Sequence, residues 1–408
     1  MNKRISAVIL SLVITITLCG CPTQPPEDET GLTSSSSGFT NNEPEDSTTL
    51  GGMYNPPPDD NFVPYIPLEH DMRDISSMEL VKEIKAGWNL GNTLDATGGS
   101  GLSSEWSWGN PRTTYSMMMV IKEAGFDSVR VPVSWGKHMD ENYIIDPDWL
   151  DRVEEVVGYV LANDMYCILN THHERWLFPN EENEAQNTEQ LIAIWEQLSE
   201  RFADYNEKLI FEGMNEPRWF GTPNEWNGGT AEAWGVVNRL NAAFVETVRA
   251  SGGNNEIRHL MIVTYAASSE RRAMEALEIP ENDDKIIVSI HAYTPWAFAL
   301  NAGGGGKWSA TAQGSTTPII ELFENIKELY LDKGIPVILG ETGARDKDNL
   351  DFRVEWTKYY FTMAREYGVP CYWWDNGSFT GSGEVFGIFN RRELIWRYPE
   401  IKDAIMGV

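Results

Sequence analysis

One (β/α)8 barrel, preceded by a signal peptide and a disordered tether, is the fold that this 408-residue chain predicts. Three observations carry that expectation. Eight short apolar runs recur between Ala86 and Trp374, and amphipathic stretches at helical spacing lie between them. Polar residues then cluster at the C-terminal ends of seven of those runs, where a barrel assembles its active site. A doubly wound open sheet is the structural competitor.

The chain divides into residues 1–20, 21–65 and 66–408. Lys3 and Arg4 precede the apolar stretch Ala7 to Leu18, a pattern that fits an export signal and is short for a membrane span. Leu18-Cys19-Gly20-Cys21 resembles a bacterial lipoprotein cleavage box, with Cys21 as the lipidated residue. The expected location is therefore outside the cytoplasm, anchored at the cell surface or in the periplasm, or else secreted. The membrane is expected as a partner only through that lipid. From Pro22 to about Asp60 the chain is rich in Pro, Ser, Thr and acid, with little to bury, as a solvated tether requires.

From Ile66 onward no low-complexity break marks a second domain. Strands are predicted at Ala86–Leu90, Ser128–Pro132, Tyr166–Asn170, Leu209–Gly213, Leu260–Thr264, Ile286–Ile290, Pro336–Gly340 and Cys371–Trp374. Fully apolar runs suit parallel strands covered on both faces. Helices are predicted at Trp149–Leu161, capped by Asp148, and at Leu191–Phe202, Ala233–Val248, Ile319–Leu331 and Phe352–Tyr367. Cys167 and Cys371 sit in apolar runs and read as buried free thiols. The formal charge of −29 repels phosphate backbones, so nucleic acid is not expected as a partner. Sixteen Trp outnumber both the 15 Tyr and the 15 Phe, which suggests either an aromatic-heavy core or flat platforms for ligands such as sugar rings.

The polar arrivals at the strand ends are Asn89 and Asn92, Arg130, His172-His173-Glu174, Asn215-Glu216, His291 with Tyr293, Glu341, and Trp374-Asp375-Asn376. Glu216 and Glu341 each follow a long apolar run. Neighbouring carboxylates drive their pKa values apart, leaving one protonated and one ionised. Glycoside hydrolysis needs that pair: an acid for the leaving oxygen, and a carboxylate that attacks or activates water. Divalent-metal coordination is the alternative for two barrel-rim carboxylates.

Asn215-Glu216-Pro217 together with Val337-Ile-Leu-Gly-Glu341 resembles glycoside hydrolase family 5. Further segments are similar to its endoglucanase and xyloglucanase branch, subfamily 4. These include Gly87-Trp-Asn-Leu-Gly-Asn-Thr-Leu-Asp-Ala, Trp108-Gly-Asn-Pro, Val129-Arg-Val-Pro-Val-Ser-Trp, Thr171-His-His-Glu and Tyr372-Trp-Trp-Asp-Asn-Gly. The likeness runs from about Glu69 to Met406. It implies endo-acting, retaining hydrolysis of β-1,4-glucans, with the two carboxyls about 5 Å apart. It also implies Glu216 as acid/base, Glu341 as nucleophile, and Asn215 on the sugar 2-hydroxyl. Arg130 would keep Glu341 ionised, Tyr293 would donate to it, and His172 and His291 would position the pair and the substrate. Trp374 would floor the subsite before the scissile bond, and Asn89, Asn92, Trp108, His173 and Trp296 are the other expected substrate contacts. A β-glucan is the expected partner, a monomer the expected state, and neither cofactor nor metal is implied. A mannanase or xylanase on the same barrel, or a non-catalytic glucan-binding lipoprotein, are the alternatives.

Two motifs point elsewhere and carry less. His172-His173-Glu174 invites a zinc reading, but adjacent His cannot easily share one metal from a strand, no His-Glu-x-x-His occurs, and six His are few for a metal site. Gly303-Gly-Gly-Gly-Lys307 resembles a phosphate loop, yet Trp308 stands in the Ser/Thr place, so a flexible rim loop is expected. Trp106, Trp176, Trp219, Trp226 and Trp308 join Trp108 and Trp296 as loop aromatics able to stack on pyranose rings. Glu181-Glu-Asn-Glu reads as a solvated face.

Overall fold

The computed structural model describes residues 64–67, 71–381 and 383–407. The export signal, Cys21 and nearly all of the tether lie outside these residues. Eight parallel strands close into a barrel in chain order, the last pairing with the first. They are β1 Gly87–Leu90, β2 Ser128–Val131, β3 Tyr166–Asn170, β4 Leu209–Glu212, β5 Leu260–Ser268, β6 Ile286–His291, β7 Val337–Thr342 and β8 Cys371–Asp375. Every predicted strand is present, and the closed ladder excludes the open sheet.

The helices are α1 Ser77–Val81, α2 Tyr115–Glu123, α3 Pro147–Ala162, α4 Glu184–Arg201, α5 Ala231–Ala250, α6 Arg271–Glu275, α7 Trp296–Ala299, α8 Gln313–Leu329, α9 Leu350–Tyr367 and α10 Pro399–Met406. The cap of α3 is Asp146 and not Asp148. Pro147 opens the helix, whose first position has no N–H to lose, and the Asp146 side chain accepts from the Asp148 amide. Helix α2 escapes a periodicity reading because Met117-Met-Met-Val-Ile121 is apolar without interruption. Helix α4 starts seven residues before Leu191 because its first two turns are polar.

Inside the barrel, strand alternation stacks side chains in layers. The lower layer is apolar: Tyr166, Ile168, Ile210, Met261, Ile287, Ile338 and Tyr372 pack with Leu80, Val81 and Ile84 from α1 and its exit, which stop the lower end. Gly87 is required there, since a Cβ would stand 2.2 Å from the Tyr372 ring. One step up each strand, the same inward face turns polar with Asn89, Arg130, Asn170, Glu212 and Ser289, all fully buried. The outer faces of the strands pack against the helices in one large apolar core. Cys167 and Cys371 are free and buried, as expected.

Candidate active site

Polar side chains buried in a barrel must find partners, and here they find one another. Arg130 donates from Nε to Glu212 Oε2 at 2.7 Å, and from Nη2 to Asn215 Oδ1 at 2.8 Å. Its Nη1 reaches Asn89 Oδ1 at 3.1 Å and Glu341 Oε1 at 2.8 Å. Burial opposes its charge, but the Glu212 and Glu341 carboxylates outweigh that and hold it cationic. Ser289 donates to Glu212 Oε1 at 2.6 Å, and Asn170 to Glu212 Oε2 at 3.0 Å.

Asn89 is therefore not a substrate contact. It is fully buried, and its amide is spent on Arg130 and on the Gly340 carbonyl at 2.9 Å. Asn92 stands on the rim side of β1 in the left-handed conformation (φ 55°), which Asn tolerates better than most residues.

Above this layer, Glu341 Oε2 accepts from the Tyr293 hydroxyl at 2.9 Å, and Glu216 Oε1 lies 2.9 Å from His291 Nδ1. One oxygen of each carboxylate and a ring nitrogen of His291 all fall within 4.8 Å of one another. The two carboxyls sit in different surroundings. Glu341 has the fixed cation Arg130 at 2.8 Å, Glu216 has Arg218 at 3.5 Å, and the titratable His291 lies 2.9 Å from Glu216 and 3.7 Å from Glu341. Burial pushes the Glu216 carboxyl up, but His291 and Arg218 more than offset this and leave it below the usual range. Burial likewise opposes charge on His291, and the two carboxylates raise it on balance. The two shifts describe one proton held across a 2.9 Å contact. Burial and the Glu341 charge push the Tyr293 hydroxyl well above its ordinary value, so it stays a donor.

Trp374 lies at the C-terminal end of β8. It is nearly buried, and its ring runs parallel to His172 (7°, centroids 5.7 Å apart). Gly91 leaves room for it, since a Cβ there would stand 2.8 Å from the indole. His173 lies 3.5 Å from Asp95 and 5.4 Å from the ring of Trp108. Burial opposes its charge, yet Asp95 holds its pKa above the ordinary value.

The adjacent histidines correct the expectation that they cannot easily come together at one ion. β3 ends at Asn170, so the strand alternation no longer applies, and the rings converge to 4.4 Å. With Asp95 they form one of two groups close enough to hold an ion; the other is Glu216, His291 and Glu341. Glu174, by contrast, is structural. Its buried carboxylate accepts from the amides of Trp135 and Gly136 and from Trp176 Nε1, tying the turn after β2 to the one after β3.

The loop aromatics differ in exposure, with Trp106, Trp176 and Trp219 half-buried between the extremes. Trp296 (61% exposed), Trp226 (58%) and Trp108 (41%) present open faces, while Trp308 is buried against Tyr359 with its Nε1 on the Ser315 carbonyl. Trp308 is therefore loop packing and not a platform. Arg218 is clasped between Phe220 and Trp226, at 4.4 Å and 4.2 Å from their ring centroids. At the Glu181-Glu-Asn-Glu segment, Glu184 is not simply solvated but pairs with Arg239.

Sequence reasoning missed Glu212, Asn170, Ser289 and Arg218 as members of the site. The first three could have been found by counting in twos: Glu212 follows the inward Ile210, Asn170 the inward Ile168, and Ser289 the inward Ile287. A polar residue at such a position faces the barrel interior and needs a partner there.

A (β/α)8 barrel with two carboxylates facing each other across its mouth, one on a fixed cation and one on a histidine, is an arrangement suited to acid/base and nucleophilic chemistry. The family model for cellulase (glycosyl hydrolase family 5) matches residues 91–380. Endoglucanase A of Ruminococcus albus is 49% identical over 344 residues, which are 82% of this chain and 93% of that protein. Among solved structures, a GH5-4 broad specificity endoglucanase from Ruminococcus champanellensis with bound cellotriose is 47% identical. The alignment covers 82% of this chain and 99% of that one, at a TM-score of 0.79. A xyloglucan-specific endo-β-1,4-glucanase from a metagenomic library, in complex with cellotriose, is 44% identical over 80% of this chain and 97% of that one, at a TM-score of 0.77. This chain belongs to glycosyl hydrolase family 5.

Proposed function

We propose that the protein cleaves internal β-1,4-glucosidic bonds of plant cell-wall β-glucans with retention of configuration. Glu341 is the nucleophile and Glu216 the acid/base. The observation that carries this reading is that an oxygen of Glu216 and an oxygen of Glu341 lie within 4.8 Å of each other. Retention needs carboxyls about 5–5.5 Å apart, whereas inversion needs roughly 6.5–9.5 Å to admit a water between.

In the first step a Glu341 oxygen attacks the anomeric carbon as the proton held between His291 and Glu216 passes to the leaving oxygen. Arg130 and Tyr293 hold the attacking carboxylate in place. Asn215, itself oriented by Arg130, is set to hydrogen-bond the 2-hydroxyl. In the second step Glu216 takes a proton from water, which attacks the glycosyl–Glu341 ester and frees the sugar. Trp374 supports the sugar before the scissile bond, and Trp108, Trp226 and Trp296 offer faces for rings farther along the chain.

Azide rescue tests the roles. Glu341→Gly with azide should yield a glycosyl azide of inverted configuration, and Glu216→Ala one of retained configuration; the opposite pairing overturns the assignment. Release of reducing ends from soluble β-glucan discards a binding-only role. Rates on cellulose, mixed-linkage glucan, xyloglucan, mannan and xylan set the preference, and faster cleavage of mannan or xylan would replace the glucanase reading.

We further propose that the enzyme is an exported monomer tethered by a lipid on Cys21, on the strength of the charged, apolar and Cys-containing leader. Incorporation of labelled fatty acid that Cys21→Ser abolishes would support the anchor, and unchanged incorporation would refute it. Sedimentation as a dimer would refute the monomer.

A further inference from the structure

Asn170 and His172 are buried side by side, and the partners of the amide leave little freedom to the imidazole. Asn170 Oδ1 accepts from the backbone amide of Val133 at 3.1 Å, a group that can only donate. Asn170 Nδ2 faces Glu212 Oε2 at 3.0 Å, on a carboxylate already accepting from Arg130 and Ser289. Rotating the amide by half a turn would set oxygen against carboxylate and NH2 against N–H, two buried contacts between like groups. The amide orientation is thus determined from both ends.

The second N–H of that amide points at His172 Nδ1, 3.1 Å away. A nitrogen that receives a hydrogen bond carries a lone pair, so the proton of the ring must sit on Nε2. An imidazolium would set N–H against N–H in a site that already contains Arg130. We propose that Asn170, oriented by Glu212, is a positioning residue that holds His172 as the neutral Nε2–H tautomer. His172 then serves this active site as a fixed hydrogen-bond donor. The inference rests on the glycosidase reading only for what the Nε2–H meets, namely a sugar oxygen above the floor made with Trp374.

Two consequences follow. His172 does not exchange protons in the reaction, since its acceptor nitrogen is occupied and its other nitrogen is already protonated. Nor is it a ligand for an ion beside Asp95 and His173, because the nitrogen not bound to Asn170 has no lone pair to give. Burial and the nearby cationic and histidine groups act in the same direction, holding the ring pKa well below its ordinary value.

The experiment is long-range ¹H–¹⁵N correlation NMR of the whole protein labelled at histidine, with His172 assigned by its loss in His172→Gln. The chain has six His, so subtraction is practicable. Expected in the wild-type protein is a pyrrole-type Nε2 and a pyridine-type Nδ1, with no titration between about pH 5 and 8, where an ordinary histidine would change charge. In Asn170→Ala, or in Asn170→Ser if the first does not fold, His172 should show a mixture of tautomers, with turnover falling in parallel. A wild-type ring protonated on Nδ1, or on both nitrogens, overturns the proposal without any variant. An unmixed Nε2–H ring in the Asn170 variants overturns the role of Asn170. Failure of the azide assay, with the NMR as expected, would remove the glycosidase reading and leave the tautomer assignment standing.

Discussion

Glu105 has no part in the chemistry, yet its replacement should be costly. It lies in the segment after β1 that also carries Trp108, and it is fully buried. Arg152 of α3 grips it with two bonds, Nε to Oε2 at 2.9 Å and Nη2 to Oε1 at 2.8 Å, and the Thr113 amide adds a third at 2.7 Å. Glu105→Gln removes the charge but not the volume. Arg152 is then left as a buried cation, with the partly exposed Glu155 as its remaining acid. Breaking one side of a buried pair costs roughly 3–5 kcal/mol, because the surviving charge stays desolvated. The exposed contact of Arg201 with Asp151, by contrast, should contribute less than about 1 kcal/mol. At roughly 2 °C per kcal/mol for a large domain, Glu105→Gln should lower Tm by about 6–10 °C, and Asp151→Asn by less than about 2 °C. Because the pair anchors the loop bearing Trp108, KM for cello-oligosaccharides should rise a few-fold while kcat stays nearly constant. A double variant with Arg152→Met should recover much of the loss, the buried charge being gone. Equal Tm effects of the buried and exposed substitutions, or strict additivity in the double variant, would refute the reasoning.

Other expectations concern single residues. His138 lies flat on Trp149, 3.7 Å between centroids, and burial pushes its pKa down to about 4. It folds neutral, so its contribution is complete above pH 6.5 and is lost as pH falls toward 4, amounting to about 3 kcal/mol at the acid end. Urea unfolding of wild type and His138→Phe across that range should show the wild type losing more stability, and parallel pH curves would exclude the effect. Tyr293→Phe removes a hydrogen bond to Glu341 worth about 1.5–3 kcal/mol, so kcat should fall roughly 10- to 150-fold with little change in Tm. Trp296→Ala touches an open face, so stability should move by less than about 0.5 kcal/mol while KM on at least one polymer rises by a few-fold. An unchanged KM on all five polymers would remove Trp296 from the cleft.

Strand positions were legible because a covered parallel strand is apolar over most of its length, and the eight runs from Ala86 to Trp374 are, broken at inward positions such as Asn89, Arg130 and Ser289. Glu216 and Glu341 stood out because each carboxylate closes a mostly apolar run, and the structure brings their oxygens within 4.8 Å of each other. Helix α2 was not, since its Met-rich face conceals the period. Asn89 was assigned to the substrate because its place at a strand end says nothing of how far inward its amide is drawn by Arg130. The partners of Asn170 are His172, two residues on, and Val133 and Glu212 from two other segments, and no reading along one run would assemble them. Trp308 and Trp296 have similar neighbourhoods in sequence, and the packing of Tyr359 and the bond to Ser315 distinguish them.

The polar layer across the barrel also divides the molecule for anyone who wishes to alter it. Arg130, Glu212, Asn170 and Ser289 sit on four strands and bond to one another inside the ladder. Trp108 and Trp226 stand on loops, and Trp296 opens the short α7; these segments contribute none of those bonds. Residues 296–312, for instance, supply no partner of Arg130, although Phe298, Ala299 and Trp308 hold that segment to the core. A choice of polymer and a way of breaking bonds are therefore separable parts here, and the first can be recut without retuning the second.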